Sequence, residues 1–117
     1  MVAARAKPPR PKTVSGLASL RRGMMEFALL RLIGVERVYV GDILQRLSAT
    51  AFATQAGTLY PMLGKLRREN LLEHEWRESR TGPPRKYYAL TKAGAQRLEM
   101  LESHWAQIIA EMDKLAG

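Results

Sequence analysis

A mainly α fold with one small β-hairpin is what this chain predicts, and three patterns carry the prediction. Within residues 57–72, Leu59, Met62, Leu63 and Leu66 recur at three- and four-residue spacing, the period of a helix with one buried face. Two short segments follow, 72–78 and 85–90. They read as strands joined by a basic, turn-prone tip, Ser79-Arg80-Thr81-Gly82-Pro83-Pro84. Last, Leu98, Leu101, Trp105, Ile108, Met112 and Leu115 are spaced 3-4-3-4-3, the seam of a helix that packs along another helix. A helix followed by a positively charged hairpin is the layout of a winged helix-turn-helix. There the helix enters the DNA major groove and the hairpin reaches the neighbouring backbone. The expected fold is a winged helix-turn-helix with a C-terminal dimerisation helix.

Each element has its own signal. Residues 1–15 hold three prolines and the cations Arg5, Lys7, Arg10 and Lys12, the composition of a disordered basic arm. Such an arm serves either as extra phosphate contact or as a solvated tail. A helix is expected from 15 to 33, capped by Ser15 or Ser19. Residues 24–33 are apolar nearly all round, broken only by Glu26 and Arg31, so that helix needs two partners. The domain core and a second subunit are the expected pair. Residues 34–37 break the pattern, 38–40 suit a very short strand, and a helix over 41–47 turns Ile43, Leu44 and Leu47 inward. A small-residue loop over 48–54 carries Phe52, expected to pack inward.

In the recognition candidate, Thr58 as N-cap puts Pro61 in the first turn, where its missing N–H costs nothing. A start at Thr54 instead makes Pro61 a kink. The exposed face presents Gly57, Tyr60, Pro61, Gly64, Lys65 and Arg68, with two glycines that permit close approach of a groove wall. Asn70 suits a left-handed C-terminal stop. In the hairpin, Leu72, His74 and Trp76 share one face, and Lys86, Tyr88 and Leu90 share a face of the second strand. Trp76, Tyr87 and Tyr88 read as hairpin packing rather than base stacking. Thr91 caps a final helix that runs to Leu115. The expected divisions are an arm at 1–15, a DNA-binding domain at 16–90 and a dimerisation helix at 91–117.

Charge supports an anionic partner. The 117 residues carry a net charge of +8 and a pI near 10.3. The excess is sorted. Residues 1–16 hold +4, the stretch 51–71 holds +2 and 77–90 holds +3, whereas 91–117 holds −1. There is no cysteine, which excludes a disulfide framework and thiolate zinc sites. No apolar run approaches the roughly 18 residues of a membrane span, and no signal-peptide core opens the chain. A cytoplasmic location without membrane association is expected. His74 and His104 stand in no metal or triad spacing, and no phosphate-loop or dinucleotide fingerprint occurs. Neither a cofactor, a metal nor an enzymatic activity is expected.

Two motifs, Gly57-Thr58-Leu59-Tyr60-Pro61 with Leu63, Leu66 and Leu71, and then Arg85-Lys86-Tyr87-Tyr88-Ala89-Leu90-Thr91-Lys92-Ala93-Gly94, resemble the PadR family of bacterial transcriptional regulators. That family reads much like GTLYPxLxxLxxxGL and GRPRKYYxLTxxG at these places, and the resemblance covers about residues 24–115. Three positions depart from it. Tyr39-Val40-Gly41-Asp42-Ile43 stands where the family often has Tyr-Gly-Tyr-Glu-Ile. Asn70 replaces the usual glycine, and Pro84 replaces a basic residue of the wing. The single C-terminal helix is similar to the short subfamily. Its members dimerise through that helix and the partner's first helix, and some hold planar aromatic ligands between facing tryptophans.

Site expectations follow. Thr58, Tyr60, Lys65 and Arg68 on the helix, with Arg85 and Lys86 on the wing, are the candidate contacts to double-stranded DNA. Leu98, Leu101, Trp105, Ile108, Met112 and Leu115 are the candidate homodimer seam. Trp105 with Met24 and Met112 is the candidate site for a small aromatic effector. The expected activity is sequence-specific repression at a pseudo-palindromic operator, relieved by a small aromatic or drug-like ligand. The competing readings are a ligand-independent basic winged-helix binder of nucleic acid and a protein-interaction adaptor that uses the hydrophobic seam.

Overall fold

The computed structural model describes residues 15–117, so the expected arm lies almost wholly outside the described residues. Four helices and three strands run in the order α1 (Ser15–Ile33), β1 (Val38–Tyr39), α2 (Val40–Ser48), α3 (Ala56–Arg68), β2 (Leu72–Ser79), β3 (Gly82–Leu90) and α4 (Lys92–Leu115). The strands form one antiparallel sheet in the order β1-β3-β2, with Val38 opposite Tyr88 and His74 opposite Tyr88 on its other side. This is the mainly helical winged helix-turn-helix expected, with β1 as a two-residue third strand.

One core holds it together. Leu29, Leu30 and Ile33 of α1 meet Ile43 of α2, Leu59 and Leu63 of α3, and Val38, Leu72 and Tyr88 of the sheet, all buried. Phe52 packs against this cluster from the α2–α3 loop. Thr50 fixes that loop: its hydroxyl donates to the Leu47 carbonyl (2.8 Å) and accepts from the Phe52 amide (3.0 Å).

The helix limits of α3 differ from expectation at one end. Its N-cap is Gln55, with no side-chain cap, and Thr58 is the third helical residue. Pro61 therefore lies inside the helix, and the carbonyl of exposed Gly57 has no helical donor from position 61. Buried Leu59 and Leu63 flank the proline and anchor the helix through it. The other end is as read from the sequence. Asn70 has φ 63°, Leu71 N–H donates to Leu66 C=O (2.9 Å) and Asn70 N–H to Arg67 C=O (2.9 Å), and both leucines are buried. Those are the two hydrogen bonds and the apolar contact of a Schellman stop.

The hairpin tip is tighter than expected. β3 begins at Gly82, which pairs with Ser79, leaving Arg80 and Thr81 as the turn. Between that pair and Arg77–Arg85, Glu78 alone faces Pro83 and Pro84, so the prolines sit in a bulge. A bulge interrupts the ladder, and residues without an N–H cost least there.

The second side of α1, for which the sequence reading expects a second subunit, is covered by α4 of the same chain. Leu98 and Leu101 pack on the core, Phe27 meets Trp105 edge-on at 6.3 Å, and Glu26 and Arg31 pair with Arg97 (2.7 Å) and Glu102 (3.8 Å). From Glu102 onward every residue of α4 is exposed.

Candidate nucleic-acid interface

Helix α3 stands between two grooves, and the candidate contacts divide between them. On the α1 side a groove of about 550 Å³ has an apolar floor that includes Met25, Phe52 and Met62. Its rim carries Thr58 and Lys65 together with Arg21 and Arg22. On the wing side a groove of about 460 Å³ brings Tyr60 of α3 together with Arg85 and Lys86 of β3 and with Trp76 of β2. Arg68 is exposed at the C-terminal end of the same helix. Flanking grooves rimmed by cations and hydroxyls are chemically suited to two phosphate backbones, one on each side of an inserted helix.

Individual side chains are held by short, specific contacts. Lys65 pairs with Glu69 one turn on (3.2 Å), but both are exposed and such a pair contributes little, so the ammonium is readily exchanged to another anion. Gly64 is occupied space rather than a vacancy: a Cβ there would lie 3.3 Å from Arg68 Nη1, so the guanidinium lies back along the helix. A Cβ at Gly57 would meet no other side chain or element within 4 Å, and that position is open to a groove wall.

Arg85 and Lys86, as neighbours in a strand, point to opposite faces of the wing. Arg85 lies over the Tyr39 ring at 4.5 Å and Lys86 over the Trp76 ring at 5.2 Å. Arg77 covers Tyr87 at 5.1 Å, and Tyr87 meets Tyr39 at 5.6 Å. The outer wing face thus alternates cation and ring, which stiffens it. Tyr39 in turn needs Gly41, where a Cβ would lie 2.6 Å from its ring. Tyr88 is buried, as packing requires, and burial first, then the neighbouring Tyr60, holds its phenol above the ordinary 10.0 against an opposing pull from Arg67. Trp76 differs: it is 63% exposed and does not belong to the core.

Arg21 and Arg22 were not among the sequence candidates. Their signal was an adjacent cation pair in the N-terminal half of α1, ahead of a stretch broken only by Glu26 and Arg31. Only the fold brings that helix end beside the α2–α3 loop, where Arg21 reaches the Ala51 carbonyl (3.4 Å).

The seam candidates also separate. Leu98 and Leu101 are half-buried against their own domain, and Trp105 marks the border at 37% exposure. Ile108, Met112 and Leu115 are exposed, joined by Ile109. Met24 is half-buried on α1. Among the described residues no three metal-binding side chains cluster, and no helix is long and apolar enough to cross a membrane.

Residues 29–100 match the model of the transcriptional regulator PadR-like family. This chain belongs to that family. A PadR-like transcription factor from Bacteroides fragilis is 38% identical, with a TM-score of 0.74 over 86% of this chain and 97% of the other. A PadR-like transcriptional regulator from Bacillus cereus is 30% identical, with a TM-score of 0.76 over 83% and 95% of the two chains. An uncharacterized protein of Lysinibacillus sphaericus is 30% identical over 74% of this chain and 83% of its own length. The chain is a PadR-family transcriptional regulator, a DNA-binding protein of regulation and not an enzyme.

The geometry explains the motif that joins wing and α4 in this PadR-family chain. Thr91 caps α4 by accepting from Gly94 N–H (2.9 Å), and its hydroxyl donates to the Asn70 carbonyl (2.6 Å). Gly94 is buried against the Leu71 carbonyl, where a side chain would collide. Threonine and glycine three residues apart thereby lock α4 to the end of α3.

Proposed function

We propose that this PadR-family chain is a cytoplasmic homodimeric repressor that binds a pseudo-palindromic operator and is released by a small planar aromatic ligand. The observation that carries the dimer is the apolar stripe Trp105, Ile108, Ile109, Met112 and Leu115 on a projecting helix, with Leu17 and Leu20 exposed on α1. An apolar patch of this kind marks an association surface. The seam of residues 91–117 is then two parts, Leu98 and Leu101 serving the subunit and residues from 105 onward serving the pair. Half-sites lie about one helical turn, ~10 bp, or a close variant apart.

Thr58, Lys65, Arg21 and Arg22 take one backbone strand, and Tyr60, Arg85 and Lys86 take the other, with Arg68 at the helix end. The effector slot is bounded by Trp105 and its two-fold mate, with Met24 and Met112 beside it. Trp105 touches Phe27 of α1, and α1 also carries Arg21 and Arg22 into the groove beside α3. A ligand that favours one setting of α1 on α4 thus favours one spacing of the recognition helices.

Selection from random duplex DNA at physiological salt, with protein of measured oligomeric state, tests the reading. Recovery of an inverted repeat bound by a dimer supports it and provides the probe for ligand screening. Salt-sensitive binding without an enriched sequence replaces it by a general nucleic-acid binder, and no binding replaces it by a protein adaptor.

A further inference from the structure

Apart from Val35 in the α1–β1 turn, the exposed large apolar side chains of the described residues fall into two sets. One set lies on α1 and α4 and belongs to the association surface. The other is the pair Tyr60 and Trp76, which face each other across the groove between recognition helix and wing. Tyr60 is accounted for as a DNA-contacting hydroxyl. Trp76 is not accounted for.

Its surroundings set it apart from a packing tryptophan. Leu72, His74 and Trp76 share one face of β2, and burial falls along it from 2% exposure at Leu72, through half-buried His74, to 63% exposure at Trp76. The indole has passed the edge of the core. Its partner across the ladder is Lys86, whose ammonium lies 5.2 Å from the ring centre. A flat apolar surface is therefore presented beside a cation, in a groove whose far wall carries a phenol. A nucleic-acid backbone has the matching alternation: an apolar deoxyribose between two anionic phosphates. A backbone supplies both at fixed spacing, whereas a purely apolar protein surface would strip the ammonium of water without supplying an anion.

We infer that Trp76 is a DNA contact of the wing, its indole packed on a deoxyribose of the backbone strand that runs between α3 and the hairpin while Lys86 takes the adjoining phosphate. The inference rests on the DNA-binding reading of α3 and the wing. Indole burial is sequence-tolerant, so the contact adds affinity without choosing the operator.

The chain has two tryptophans, one on each surface, which makes the test direct. Protein grown with fluorotryptophan gives two fluorine signals, assigned through Trp76→Phe. Adding the duplex recovered by selection shifts and broadens the Trp76 signal. In parallel, Trp76→Ala weakens binding by about 5- to 20-fold, on the scale of removing one stacking or apolar contact, and leaves the slope of log affinity against log salt unchanged. Lys86→Ala lowers that slope by roughly 0.9. An unmoved Trp76 signal in a complex that anisotropy shows to be formed overturns the inference and leaves the DNA reading intact. A slope that falls in Trp76→Ala as it does in Lys86→Ala also overturns it, because the indole then acts only by holding the lysine. Absence of any complex removes the DNA reading and this inference together.

Discussion

Replacing Gly94 by alanine should destabilise the chain, although the same change normally strengthens a helix. In an open helix Gly→Ala contributes about 0.8–1 kcal/mol of stability. At position 94 the new methyl would collide with the Leu71 carbonyl oxygen and lie 3.0 Å from the carbonyl carbon. That carbonyl cannot retreat freely, since it accepts the Thr91 amide (3.1 Å) and belongs to the residue that closes the α3 stop. Overpacking of this kind costs about 1–3 kcal/mol, and loss of the Thr91–Leu71 bond adds about 1 kcal/mol. After the helix gain, the net loss is roughly 1–3 kcal/mol, with melting lowered by about 4–8 °C for each kcal/mol in a domain of this size. The reference is Gly57→Ala, in a helix with nothing within 4 Å, which should gain up to about 1 kcal/mol. Urea denaturation of the three proteins at one fixed concentration measures both signs, because the stability of the proposed dimer would depend on concentration. Equal stability of Gly94→Ala and the parent would refute the argument that α4 is seated on the Leu71 backbone.

Three further outcomes are expected. His74 is held below its ordinary 6.5 by burial first, then by Lys86 and Arg67, and Arg67 lies 3.3 Å from its Nδ1. Below 6.5 the unfolded chain binds a proton that the folded chain resists, so stability falls as pH drops through 6.5 toward the depressed folded value. His74→Gln should flatten that part of the denaturation-midpoint profile, and an unchanged profile would remove His74 as its source. Ile108→Asp should leave the subunit folded, since Ile108 is 50% exposed in a single chain. It should also weaken the dimer by about 3–5 kcal/mol, more than roughly 100-fold, through a buried unpaired charge. Light scattering during gel filtration across a dilution series reads this, and persistence of the dimer places the interface elsewhere. Deleting residues 1–14 should lower the salt slope of DNA affinity by roughly 0.9 for each phosphate that the arm neutralises, and an unchanged slope leaves the segment without a role in DNA binding.

The fold was legible where local chemistry has one solution. Asn70 before a strand, Thr91 three residues ahead of Gly94, and the leucine spacing of α3 each admit a single backbone arrangement, and all three are present. Signals with two physical solutions were not resolved. An N-cap at Thr58 and one at Gln55 differ only in whether a helix tolerates Pro61, and the burial of Leu59 and Leu63 around the proline decides that. The prolines at 83 and 84 read as part of the turn, and only the Ser79–Gly82 pairing moves them into a bulge of β3. Arg21 and Arg22 join Thr58 and Lys65 only through tertiary packing, which no spacing within α1 encodes.

The α4 seam shows the deeper reason. A 3-4 repeat states that a helix packs on a helix, and it is silent on whose helix that is. Leu98 and Leu101 pack on the core of the same chain, where Gly34, just past the end of α1, lets Leu98 approach so closely that a Cβ would lie 3.0 Å from it. The repeat then continues without a break through Trp105 to Leu115, while α1 offers mostly exposed residues in its own N-terminal half. In the proposed homodimer a continuous pattern would therefore span two kinds of burial, and Trp105, with one edge on Phe27 and the rest open, stands where they would meet. On the proposed dimer, that position would make it sensitive to both subunit packing and pairing. A variant that alters only the outer part, such as Ile108→Asp, should separate the two where a change at Leu98 would lose both together.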